Sequence, residues 1–146
     1  MMNDSPAIVD QIVQAARADA DAGRFTSAAE GYAVAADHEE EHGRIRSAWL
    51  YRVAMRRLLV AAWARQHFPR VTWHSVRPVR QRGVSLKTMR RGAGEGRLFH
   101  VVVGYGVGVE ARVDKSGRVY EVRRDRNGRL REVQGACPRR EQKGFG

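Results

Sequence analysis

A nine-residue unit recurs eleven residues on near the end of the chain, and it restricts that region to one kind of structure. Residues 114–122 read Asp-Lys-Ser-Gly-Arg-Val-Tyr-Glu-Val and residues 125–133 read Asp-Arg-Asn-Gly-Arg-Leu-Arg-Glu-Val, with Asp, Gly, Arg, Glu and Val at the same places in both copies. Asp at the start of a tight turn accepts N–H groups from the residues just after it, and Gly supplies the left-handed backbone that closes the turn. The residues after each Gly have the composition of a short strand. Two turn-and-strand units in tandem predict an antiparallel meander. Upstream, residues 98–103 are almost all apolar and Val107, Val109, Ala111 and Val113 alternate, so the block 98–134 is expected to hold four strands.

The first 68 residues follow the helical period instead. Ser5 is a candidate N-cap with Pro6 at the first helical position, and Ile8, Ile12, Ala15 and Ala16 follow at helical spacing. Gly23 breaks this helix. Ser27 with Glu30 has capping-box spacing for a second helix, whose face carries Ala28, Tyr32 and Ala35, and Gly43 ends it. The longest helical signal runs over residues 45–67 and is closed by Pro69, with Ile45, Trp49, Val53, Val60 and Trp63 on one face. Residues 71–76, Val-Thr-Trp-His-Ser-Val, predict a short edge strand interrupted by Pro78. The expected fold class is therefore α+β. A three-helix N-terminal unit (1–68) is followed by a basic linker with a short strand (69–97), a basic four- or five-stranded antiparallel β-meander (98–134) and a basic tail (135–146).

Gly23, Phe25, Ala28, Tyr32 and Ala35, with Ala16 upstream, reproduce the G-x-aromatic-x-x-A-x-x-x-aromatic-x-x-A spacing of one repeat. In this segment, residues 12–35, the chain resembles a tetratricopeptide helical hairpin, which implies a helical pair used for protein–protein contact. It departs from that family at Asp19, where a large aromatic is usual, and no second copy follows 34 residues on. The D-x-x-G-R-aliphatic-x-E-V unit resembles the tandem hairpins of tyrosine-aspartate (YD) repeat proteins, although only two copies are present.

Charge divides the chain as sharply as periodicity does. Residues 1–43 hold nine acidic and two basic side chains, whereas the remainder holds 25 basic and seven acidic, and the two sections sum to the net charge of +11. So basic a second section points to polyanionic partners. The longest apolar run, residues 58–64, is far shorter than the ~20 residues a membrane helix needs, so no membrane association is expected. Cys137 is the only cysteine, which excludes an intrachain disulfide and a thiolate-rich zinc site. The free thiol and the absence of a signal-like N-terminus predict a cytoplasmic address. No cofactor is expected.

The favoured reading is a non-enzymatic nucleic-acid-binding protein that contacts DNA or RNA phosphates through an Arg-rich loop and sheet. Its contact residues are expected to be Arg77, Arg80, Arg82, Lys87, Arg90, Arg91, Arg97, Arg112, Arg118, Tyr120, Arg123, Arg124, Arg129 and Arg131. Cations gain affinity by releasing counterions from phosphates, and Tyr120 and Tyr105 are candidates for stacking on bases. Arg118, Tyr120, Val122 and Arg124 are expected on one face of their strand, with Arg129 and Arg131 sharing a face on the next. The helical unit would then bind a partner or mask the basic face. The alternative is a protein–protein adaptor acting through the helical hairpin, as the repeat resemblance implies. A weaker alternative is a small ribonuclease in which His74 or His100 transfers protons. His38 and His42 fit the H-E-x-x-H pattern as weak metal candidates, but they close a short acidic helix, where the zincin motif is normally buried and apolar. The arginines of the longest helix, Arg46, Arg52, Arg56, Arg57 and Arg65, are expected to pair with the acidic surface around Glu39 to Glu41 or to dock on phosphates.

Overall fold

A computed structural model describes residues 5–79, 89, 97–104 and 106–133. Three helices come first: α1 (Ser5–Asp21), α2 (Phe25–Glu41) and α3 (Ile45–Arg65). A 3-10 turn (Trp73–Ser75) leads into a sheet of β1 (Val76–Pro78), β2 (Leu98–Gly104), β3 (Val107–Val113), β4 (Val119–Arg124) and β5 (Leu130–Glu132). The strands are antiparallel and stand in sequence order, β1-β2-β3-β4-β5. The class is α+β, with the helices N-terminal to an open five-stranded sheet.

Two near-identical turns stack the helices. Gly23 and Gly43 both adopt positive φ, and Arg24 N–H and Arg44 N–H donate across the turn to the carbonyls of Asp19 and Glu39, five residues back. This closure satisfies carbonyls that a helix end leaves free, and only Gly adopts that backbone without cost. The side chains repeat the pattern, because Arg24 Nε donates to Asp19 Oδ1 at 2.9 Å and Arg44 Nε donates to Glu39 Oε2. An acid, a Gly and an Arg thus recur twenty residues apart and make the same turn twice. Asp19, the departure from the tetratricopeptide pattern, is the acid of the first turn.

The helix boundaries and faces differ from the sequence reading at two points. Ser27 and Glu30 do not cap α2, which starts at Phe25 after the N-cap residue Arg24. The Gly23 turn is so tight that Ser27 already lies in the first turn, where its hydroxyl donates to Asp19 Oδ2 at 2.9 Å. In α1 the buried stripe is Val9, Ala16 and Ala20 with Val13 packed alongside, whereas Ile8 is exposed. The stripe is set by close approach: a Cβ on Gly31 of α2 would lie 2.9 Å from Ala16 Cβ, so the smallest side chains must face each other.

Helix α3 packs against α2 and also against β1 to β4. Two neighbours explain why Ala48, Val53, Leu58, Val60, Ala61, Trp63 and Ala64 are all buried, a wider span than one face provides. The inner face of the sheet meets it with Val76, Phe99, Val101, Val109, Ala111 and Val113, and one hydrophobic core joins these to the helices. The expected alternation of Val109, Ala111 and Val113 into the core is observed. No helix of the described residues is long and apolar enough to cross a membrane.

The expected strand over residues 71–76 is replaced. Val71 and Thr72 are irregular, Trp73–Ser75 form the 3-10 turn, and the strand is Val76–Pro78, at the sheet edge. Thr72 N–H donates to Ser75 Oγ at 3.1 Å, and Trp73 Nε1 donates to Asp21 Oδ1 at 3.0 Å, tying the turn to the end of α1. β-branched composition lost here to a Thr-x-x-Ser cap and a tertiary hydrogen bond.

The tandem unit folds as its sequence implies. Asp114 Oδ1 accepts from the N–H groups of Ser116 and Arg118, and Asp125 Oδ1 accepts from those of Asn127 and Arg129, at 2.8–3.0 Å. Gly117 and Gly128 take the positive φ in both turns.

Candidate nucleic-acid interface

Because side chains alternate across a strand, the register assigns each one to a face. The pairs Arg77↔His100, His100↔Glu110, Glu110↔Val122 and Val122↔Glu132 form a row across all five strands on the face away from the core. Leu98, Arg112 and Tyr120 form a second row beside it. Arg118 and Arg124 project to the same side by alternation along β4. The outer face therefore brings together Arg77, Arg112, Arg118, Tyr120 and Arg124, as the alternation within β4 predicts for its own three.

Other expected contacts lie elsewhere. Arg123 pairs with Arg131 across β4 and β5 on the opposite face, which also separates Arg131 from the outer-face row. Arg123 Nε donates to Glu121 Oε2 at 3.1 Å, and Glu121 is a carboxylate only 2% exposed. A buried carboxylate needs such a partner, so Arg123 is engaged in the fold. Arg131 Nε donates to Asp125 Oδ2 at 2.8 Å. Arg129 enters the second turn through its backbone N–H. Arg97 is buried, with its guanidinium 5.3 Å from the Trp49 ring, and burial lowers its pKa from the ordinary guanidinium value. Arg80, Arg82, Lys87, Arg90, Arg91, Tyr105 and the basic tail lie outside the described residues.

On the outer face itself the cations differ in how far they are already neutralised. Arg118 pairs with Asp114 at 3.5 Å and with Glu132 at 3.0 Å, and its guanidinium lies 4.8 Å from the Tyr120 ring centroid. The Glu132 hydrogen bond, first, and the nearby carboxylates raise its pKa. Arg124 Nη1 donates to the carbonyl of Gly128, a neutral acceptor. Arg77 is exposed and lies close enough to Arg57 to lower the pKa of that half-buried arginine, after the larger effect of burial.

Helix arginines mostly serve the fold. Arg57 Nε donates to the Val76 carbonyl at 2.7 Å and its guanidinium covers Trp73 at 4.5 Å. Arg65 donates from Nε to the Val71 carbonyl at 3.1 Å and from Nη1 to the Gly23 carbonyl at 3.3 Å, while stacking 4.5 Å from Phe25. Arg52 pairs with Asp37 and Glu40, within the acidic surface that the sequence assigns to the helix arginines. The contacts of Arg57 and Arg65, which fasten α3 to the turns on either side, left no mark in the sequence beyond abundant arginine.

The four candidate histidines separate into three settings. His38 and His42 stack with centroids 4.5 Å apart, but Glu39 is buried against Arg44, and no group of three metal-ligating side chains occurs among the described residues. His74 stands beside Asp21 at 3.8 Å and against Trp73. His100 lies on the outer face with Nδ1 4.0 Å from Glu110 Oε2. Its ring occupies the place a side chain at residue 108 would take, since a Cβ there would fall 2.6 Å from Cε1. An open cavity of about 300 Å³ lies at this corner, lined by His100, Gly108, Glu110, Val122 and Arg124 among others. The sequence offered no sign of the Gly108 seat, because it depends on β2–β3 register.

Compared with protein-family models, curated proteins and solved structures, the chain gives no match.

Proposed function

We propose that the protein binds nucleic acid through the outer face of its sheet. The observation that carries this reading is the register, which gathers Arg77, Arg112, Arg118, Arg124, Tyr120 and His100 on the one sheet face that α3 does not cover. A sheet face lined with cations can neutralise several phosphates at once, and Tyr120 offers a ring to an unpaired base. Helix α3, whose charged side chains are all arginines, is the helix that packs on the inner side of the sheet.

The test is fluorescence anisotropy with labelled duplex DNA, single-stranded DNA and RNA at rising salt. Removing one cation that meets a phosphate reduces the slope of log K against log salt by about one. R77A and R124A are expected to do so, whereas R131A, on the opposite face, leaves the slope unchanged. Negligible binding of all three nucleic acids near physiological salt would sink the proposal, as would equal effects of R131A and the outer-face variants.

A second reading, contact with a protein partner through the tetratricopeptide-like hairpin, draws support from Ile8, Val34 and Leu50. These large apolar side chains are exposed on α1, α2 and α3.

A further inference from the structure

We infer that the His100 corner of the outer face cleaves RNA by internal transphosphorylation. This rests on the nucleic-acid reading and adds a reaction to it.

Metal-free cleavage of RNA needs three things at one phosphodiester. A base must take the 2′-OH proton, an acid must protonate the departing 5′-oxygen, and cations must offset the charge gathering on the phosphoryl oxygens. His100 and Glu110 are cross-strand neighbours on β2 and β3, both partly exposed, with Nδ1 and Oε2 4.0 Å apart. The gap is longer than a hydrogen bond, so neither group is consumed by the other. Arg77 lies directly across from His100 on β1, and Arg124 of β4 lines the same cavity. Glu121 and Arg123 of β4 also line this cavity, paired with each other at 3.1 Å. Gly108 leaves the ring its seat: any larger residue would put a Cβ 2.6 Å from Cε1 and 2.8 Å from Nε2. Gly108 is thus a positioning residue, and His100 and Glu110 are the proton-transfer pair.

In the reaction, the Glu110 carboxylate accepts the 2′-OH proton as the 2′-oxygen bonds to phosphorus. The bond from phosphorus to the 5′-oxygen breaks, and the His100 imidazolium gives its proton to that oxygen. The products are a 2′,3′-cyclic phosphate and a free 5′-OH, with the proton returning from Glu110 to His100 through solvent. Arg77 and Arg124 supply the compensating charge at the phosphoryl oxygens. No metal ion or redox partner enters the balance. DNA lacks the 2′-OH and is a ligand but no substrate.

The experiment uses the full chain with EDTA and a fluorogenic DNA oligonucleotide containing one ribonucleotide, beside its all-deoxy counterpart. Cleavage is expected only at the ribonucleotide, leaving a cyclic phosphate identified by mass. H100A and E110Q are each expected to slow it by about 10²–10⁴-fold. Thermal melts identify folded variants. E110Q preserves the side-chain shape, so its loss of rate is read even if H100A is unstable. With both groups acting, the parent's pH–rate profile is bell-shaped and one limb disappears in E110Q.

Absence of cleavage by the parent would overturn the inference, as would cleavage of the all-deoxy strand or parental rates in folded H100A and E110Q. If salt-dependent binding persists in that case, the interface reading stands and only the chemistry is lost. If the parent binds neither strand, both fall together.

Discussion

The crossing of α1 and α2 makes a sharp prediction at Gly31. In an exposed helix interior, replacing Gly by Ala stabilises by about 1 kcal/mol, because it removes backbone freedom from the unfolded chain. Here the new methyl would sit 2.9 Å from Ala16 Cβ and 3.6 Å from Ala16 Cα. Carbon atoms pack at about 3.5–4.0 Å, so the two helices must move apart by roughly 0.8 Å at their closest point. Neither atom lies on a rotatable side chain, so no rotamer change relieves the contact. Overpacking of this kind costs about 1–3 kcal/mol. Set against the helix gain, G31A should destabilise by about 1 kcal/mol, a fall of roughly 3 °C in Tm for a chain of this size. Removing the opposing methyl provides the control. In the double variant A16G/G31A the methyl merely changes sides, so the two substitutions should couple favourably by about 1–2 kcal/mol in urea unfolding. A G31A variant more stable than the parent, with additive behaviour in the cycle, would refute the close crossing.

Other perturbations probe the arginine contacts, the turns and the site. R65A leaves the Val71 and Gly23 carbonyls without the Arg65 guanidinium, and is expected to cost about 2 kcal/mol by urea melt; R24A, at an exposed pair, is expected to cost under about 1 kcal/mol. Hydrogen bonds hold three carboxyls below the usual carboxylate range: from Arg24 and Ser27 for Asp19, from Ser116 and the Arg118 backbone for Asp114, and from Arg131 and the Arg129 backbone for Asp125. Since the folded pKa values are depressed, their contribution is complete above the unfolded carboxylate range and fades as pH falls through the folded values. Tm should therefore drop below about pH 4, with a shallower drop in D114N and D125N; an identical acid limb in both would contradict the assignment. G108A should displace the His100 ring and lower ribonucleotide cleavage by about 10²-fold, in a variant that a thermal melt shows to be folded. Unchanged cleavage in G108A would show that the ring's seat has no catalytic consequence.

How much was legible in advance depended on the range of the forces involved. The tandem Asp-x-x-Gly unit dictated its own turns, because the carboxylate and the two N–H groups it accepts lie within four residues of one another. The helices and the alternation of Val109, Ala111 and Val113 were legible for the same local reason. The 3-10 turn at Trp73 was not, since part of its hold is a hydrogen bond to Asp21, fifty-two residues away in sequence. In α1 the sequence placed Ala16 on the buried stripe, but Val9 and Ala20 are buried with it where Ile8 and Ala15 were expected, because the crossing with α2 sets the angle at which the helix meets its neighbour.

For the candidate site, sequence determined the supply of arginines and the alternation within each strand, but nothing about which strands lie side by side. Arg118, Tyr120 and Arg124 could be grouped from one strand alone. Placing Arg77 beside His100, and His100 beside Glu110, required the register of three strands, and separating Arg123 from them required knowing which face carries the core. Periodicity and turn chemistry act within a few residues and so are written in the chain. The outer-face row, the Glu121–Arg123 pair and the Gly108 seat arise from packing between distant segments, and tertiary structure alone decided them.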